Sequence, residues 1–161
     1  MKKISFLILV DLFGVGSAKT VNATTDYLTY SGYIATLSRP DLAGESCKIG
    51  SYGIVHDSSY ASNCLLYVKI DIPEGATLKS VNVYYYDNSG SQLISVALRR
   101  TSLSSDSYYN LATKTDTTTS SSVQYATLTY DGTTSSSYSY SVLVNLGFDA
   151  EYRGLQVTYE Y

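Results

Sequence analysis

The chain has one histidine, His56, in the context Gly53-Ile54-Val55-His56-Asp57, and a serine or cysteine nucleophile needs a nearby base of that kind. No base–nucleophile pair is marked around it, so it reads as an exposed loop histidine. Glycoside hydrolysis would need two carboxylates across a cleft, for which Asp57, Asp71, Glu74, Asp87, Asp106 and Asp131 are available. Most of them fall in predicted turns, where Asp is favoured because its side chain hydrogen-bonds the local backbone. Two cysteines and one histidine fall short of a four-ligand metal site and lack C-x-x-C spacing. Gly-rich phosphate loops are absent. The sequence therefore predicts no catalytic, cofactor-binding or metal-binding residues.

Tyrosine is the residue type in excess: 18 Tyr and 3 Phe stand against no Trp, and only 16% of residues are charged. A tyrosine ring packs while its hydroxyl stays hydrated, which suits β structure with a wet surface. The run Tyr84-Tyr85-Tyr86 lies at a predicted strand end, and alternation places Tyr85 on the core face with Tyr84 and Tyr86 on the other. Those two tyrosines form the candidate contact surface. They could stack on sugar rings, although the lack of Trp weakens that reading, or they could sit in a protein interface, where aromatics are enriched and charge is depleted. Packing and β-propensity alone account equally for their presence.

The net charge of −3 and a pI near 5.0 leave out nucleic acid, which calls for a basic footprint. The chain starts as a secretory leader does. Lys2 and Lys3 precede an apolar stretch, and Gly16-Ser17-Ala18 supplies small residues for cleavage after residue 18, with Val21-Asn22-Ala23 as an alternative after residue 23. Asp11 interrupts the apolar stretch. The stretch is too short for a permanent anchor, which takes about 20 residues. Export to an oxidising compartment favours a disulfide between Cys47 and Cys64 over two free thiols, and both lie in the mature domain at 19–161. Asn22-Ala23-Thr24 is a short match to a glycosylation sequon.

These features must be carried by strands. Residues 64–86, CLLYVKIDIPEGATLKSVNVYYY, read as two strands around a Pro73-Glu74-Gly75 break, because Pro lacks a ladder donor and Gly accepts positive φ. Leu66, Val68, Ile70 and Ile72 fall at period two against Leu65, Tyr67, Lys69 and Asp71, and Lys79, Val81, Val83 and Tyr85 resume the alternation. The two strands are expected either to pair or to face each other across the core. Residues 27–36 form a first strand with Gly32 at a bulge or bend, 38–51 a loop, and 52–56 a short strand. Further strands are expected where Ile94, Val96 and Leu98 alternate, weakly over 108–113, over 123–130, and at Tyr138, Tyr140, Val142, Val144 and Leu146. Residues 147–153 reverse direction before Leu155, Val157, Tyr159 and Tyr161. The tract 115–122, TDTTTSSS, reads as a polar loop or an O-glycosylated one. No segment has helical periodicity. Eight or nine short strands imply an all-β antiparallel sandwich, jelly-roll-like in plan.

The order of IPEGATLKSVNVYYYD, ISVALRR, YSYSVLVNL and RGLQVTYEY resembles an uncharacterised group of secreted bacterial β-sandwich domains. Those domains share the P-x-G-A turn, the Y-Y-Y-D strand end and an aromatic final residue. The resemblance covers about residues 66–161 and implies a jelly-roll-like fold in an extracellular place, with no catalytic residues. The expectation that follows is a secreted, non-enzymatic structural or assembly protein such as a surface-layer, sheath or filament subunit. Its partner would be further copies of itself. A carbohydrate-binding or adhesive module, with a polysaccharide as partner, is the alternative.

Overall fold

The computed structural model describes residues 23–32, 36–37, 47–56, 64–87, 94–105 and 107–161. The expected leader over 1–18, the Asn22 sequon and the connections at 57–63 and 88–91 lie outside the described residues. Among the described residues there is no helix, hence none long and apolar enough to cross a membrane. The strands are β1 (Thr25–Ser31), β2 (Thr36–Leu37), β3 (Cys47–Ile49), β4 (Ile54–His56), β5 (Cys64–Ile70), β6 (Thr77–Asp87), β7 (Ile94–Ser102), β8 (Tyr108–Asp116), β9 (Ser120–Thr133), β10 (Tyr138–Leu146) and β11 (Glu151–Glu160). The long ones are β1 and β5 to β11; the short β2, β3 and β4 take the count beyond the eight or nine expected from sequence.

They form two antiparallel sheets packed on a shared core. The first runs β3-β4-β11-β6-β9, with β1 also pairing β11; the second runs β2-β5-β10-β7-β8. Inward residues of both sheets meet in one cluster that includes Leu66 and Val68 of β5, Val83 and Tyr85 of β6, Val144 of β10 and Leu155 of β11. Strict alternation along these strands produces that layer, since every second side chain points between the sheets.

The two strands at the centre of the sequence, β5 and β6, do not pair. One lies in each sheet, and the turn between them crosses the end of the sandwich. Gly75 supplies the positive φ of 81° that the turn needs. Thr134 then clamps the turn to the β9–β10 connection. Its hydroxyl donates to the Pro73 carbonyl at 2.6 Å, and its backbone N–H donates to the Ala76 carbonyl at 2.8 Å.

The phase of β6 differs from simple alternation. Val81, Val83 and Tyr85 face the core as expected, but Leu78 rather than Lys79 joins them. Register shifts against both neighbours at this point allow the change. A bulge costs less than a buried ammonium group. Lys79 is turned outward to ion-pair with Asp131 of β9 at 2.8 Å and Glu160 of β11 at 3.2 Å.

Other boundaries also move. The tract expected as a polar loop is instead the tight end of two strands, because β8 continues to Asp116 and β9 begins at Ser120. Asp116 Oδ1 accepts the Thr118 backbone N–H at 2.9 Å, so the short polar side chains build the turn locally. The segment expected as one strand over 27–36 divides at Gly32: β1 pairs β11, whereas β2 pairs β5 in the other sheet. The last strand starts at Glu151, inside the segment assigned to a reversal.

Cys47 and Cys64 form a disulfide, with Cα atoms 5.2 Å apart. It joins the start of β3 to the start of β5 and so ties one sheet to the other.

Candidate functional site

Among the described residues, His56, Asp71, Glu74 and Asp131 are each held by a structural partner. His56 is not an exposed loop residue: it lies in β4 with its side chain 2% exposed. Its Nδ1 meets the Leu146 carbonyl at 3.0 Å, and its ring packs 4.6 Å from that of Phe148. Its backbone donates to Ala150 O and accepts from Asp149 N, so the residue fixes the β10–β11 turn. Asp71 pairs with Lys69 at 2.7 Å on the surface, and Asp131 pairs with Lys79. Asp87 is buried. Asp57 and Asp106 lie outside the described residues.

Asp71 and Glu74 do share the rim of one cleft. It has a volume of about 290 Å³ and is also lined by Leu103, Ser136, Tyr138 and Tyr140. Glu74 accepts the Ser136 hydroxyl at 2.6 Å, and hydrogen bonds from the Ser136 side chain and backbone hold its carboxyl below the usual range. No cluster of three or more metal-ligating side chains exists among the described residues.

The tyrosines at the end of β6 lie on the outer face of the first sheet, on the side opposite Val83 and Tyr85. Tyr84 stands across from Tyr125 of β9, and Tyr86 across from Glu151 of β11. The Tyr84 and Tyr125 rings lie 5.8 Å apart at an interplanar angle of 48°. On the other flank the Arg153 guanidinium sits 4.2 Å from the Tyr52 ring centre and 5.8 Å from that of Tyr86. Glu151 accepts from Arg153 at 2.9 Å and from the Tyr52 backbone N–H at 2.9 Å, which neutralises the arginine and pins the Tyr52 loop.

These contacts extend the expected pair into a row that crosses the sheet: Tyr125, Tyr84, Tyr86, Arg153, Tyr52. Its ends are open, with Tyr125 59% and Tyr52 65% exposed, while Tyr84 and Tyr86 are half-buried. Gly154 makes room for the close approach of β1 behind the row. It pairs with Tyr84 at a register shift, has φ of 138°, and a Cβ there would collide with the Tyr30 carbonyl. Such a row offers flat ring surface, phenolic hydroxyls and one compensated cation, a chemistry for stacking and for displacing weakly held water.

The sequence pointed to Tyr84 and Tyr86 but not to Tyr52, Tyr125 or Arg153. Alternation with Ala126 and Leu128 was a usable signal that Tyr125 faces outward. Its position beside Tyr84 depended on strand order, and the Tyr52–Arg153 contact joins residues about a hundred positions apart.

Comparisons with protein-family models, with characterised proteins and with solved structures return no match.

Proposed function

We propose that this is a secreted, non-enzymatic structural or assembly protein of the cell surface or extracellular space, with jelly-roll connectivity, that works by association. The single observation carrying this reading is the tyrosine row on the outer face of the first sheet, whose one cation is already neutralised by Glu151. Aromatic rings without net charge suit the centre of a protein interface. Support for the connectivity comes from the orders β1-β11-β6-β9 and β5-β10-β7-β8, in which the chain from β5 onward changes sheet at every step except the β7–β8 hairpin, as paired Greek keys do. The Cys47–Cys64 disulfide is compatible with an oxidising compartment. Sedimentation velocity and negative-stain imaging across a concentration series test the reading. Wild-type protein is expected to associate with rising concentration, and the double substitution Tyr84→Ser, Tyr86→Ser is expected to weaken that association. A strictly monomeric wild-type protein would overturn it.

Polysaccharide binding is the second reading, favoured by the exposed rings of Tyr52 and Tyr125 at the two ends of the row. Co-sedimentation with insoluble polysaccharide separates the two, because a monomer retained by the polymer through these tyrosines belongs to the second reading alone.

A further inference from the structure

Each sheet of an open sandwich has two edges, and every edge presents backbone N–H and C=O groups that want a strand partner. The edges of this domain are not alike. At one side of the first sheet β1 carries Asp26 and the short β3 carries Lys48; in the second sheet β8 carries Lys114 and Asp116. Charges of this kind discourage a neighbouring chain from adding on. The other edge of the second sheet is the two-residue β2 lying on β5, which carries Lys69. The remaining long edge is β9, the longest strand, with 14 residues. From Ser120 to Tyr130 it has no charged residue, no proline and no glycine. Its one carboxylate, Asp131, lies beyond that stretch and is taken up by Lys79. Its only ladder among the described residues is with β6.

We infer that β9 is the surface through which a second copy of this chain attaches, by antiparallel β9–β9′ pairing across a two-fold axis near Tyr125, so that the first sheets of two molecules become one. This inference rests on the association reading above and names the partner and the edge it uses. The uncharged stretch is centred on Tyr125, so an antiparallel copy brings no like charges into opposition, which cross-strand pairs penalise. On the outer face Tyr125 and Val123 are 59% and 52% exposed, so apolar surface is available beside the open backbone. Pairing about Tyr125 sets it against its own copy and Val123 against Thr127 of the second molecule. Because Tyr84 already stands across from Tyr125, the tyrosine row continues from one molecule into the next. Register shifts against β6 on either side leave residues 124–129 as the regular part of the strand, so the pairing is short and the association is reversible.

A pair of charge variants provides the test. Val123→Lys with Tyr125→Lys, and Val123→Glu with Tyr125→Glu, change only exposed positions and should leave the thermal melt close to wild type. Each variant alone is expected to associate at least about tenfold more weakly than wild type, because like charges face each other across the axis. An equimolar mixture of the two is expected to recover association, since Lys then faces Glu. As a control, Tyr108→Lys with Tyr109→Lys on the β8 edge should leave association unchanged. If wild-type protein associates and both β9 variants associate equally well, the β9 assignment is wrong while the association reading stands. If wild-type protein is monomeric at every concentration, both are wrong.

Discussion

The Tyr85 hydroxyl, reaching inward from β6, donates to the Asp116 carboxylate at the end of β8 at 2.5 Å and so bridges the two sheets across one edge of the core. Asp116 also accepts from the Thr118 hydroxyl and backbone N–H. One carboxylate therefore caps the β8–β9 turn and receives a buried phenol. Hydrogen bonding from Thr118, then from Tyr85, holds the Asp116 carboxyl down to about 2. Burial, then the Asp116 carboxylate, pushes the Tyr85 phenol well up.

Acid should act through this pair. A carboxyl whose folded value lies below its ordinary value near 3.8 contributes stability that is complete above pH 4 and is lost as pH falls toward 2. Because Asp116 is partly open to solvent, the contribution is about 1 kcal/mol rather than the full value of the shift. Urea denaturation of wild type at pH 5 and pH 2.5 should show this loss, and Asp116→Asn should show less of it. An identical acid loss in the variant would refute the assignment.

Tyr152 makes the opposite case. Its hydroxyl is buried between the sheets and has no hydrogen-bond partner among the described residues, and burial alone raises its pKa. Tyr152→Phe removes an unsatisfied polar atom and keeps the ring, so it should raise stability by about 1 kcal/mol. A destabilised variant would mean that the hydroxyl is satisfied. With folded phenol values above the ordinary value near 10, both Tyr85 and Tyr152 contribute stability that is complete below that pH and is lost as pH rises beyond it. Their ionisation should therefore come last in a spectrophotometric titration and coincide with unfolding.

Reduction of Cys47–Cys64 should cost about 3 kcal/mol, the loop-closure entropy for a separation of 17 residues. Replacing both cysteines with alanine should lower the urea midpoint correspondingly. Unreduced, denatured protein should show no thiol that iodoacetamide can modify; two modified cysteines would contradict the bridge.

Processing should remove the leader. The basic, apolar and small-residue regions occur in the order that signal peptidase reads, so secreted protein should begin at Lys19 or Thr24. Intact-mass measurement decides this, and a mass that includes residues 1–18 would count against export by this route.

Much of the architecture was legible because a sheet writes itself into sequence at period two. Leu66, Val68 and Ile70, and again Val142, Val144 and Leu146, announced their buried faces with no information from elsewhere in the chain. Composition and the break at Pro73 and Gly75 likewise implied an all-β chain, and the even cysteine count implied the bridge, whereas the turn that Asp131-Gly132 suggests is overruled because β9 continues to Thr133. Local pattern failed where a partner strand overruled it. Lys79 lies in phase with Val81 by counting, yet pairing to β9 and β11 offers two carboxylates outside the core and a bulge to reach them. The polar 115–122 tract resembles a loop in composition, yet neighbouring β6 and β7 supply ladders that absorb both of its ends.

The sequence by itself determined which faces of the strands are apolar, where the chain must turn, and which two sulfurs could join, because those properties depend on residues within a few positions of one another. Only the tertiary structure decided that β5 and β6 sit in opposite sheets, that His56 is buried, and that Tyr52, Arg153, Tyr86, Tyr84 and Tyr125 form one row. Strand order is set by the summed burial and hydrogen bonding of segments far apart in the chain, and no local spacing encodes which outward face will stand beside which.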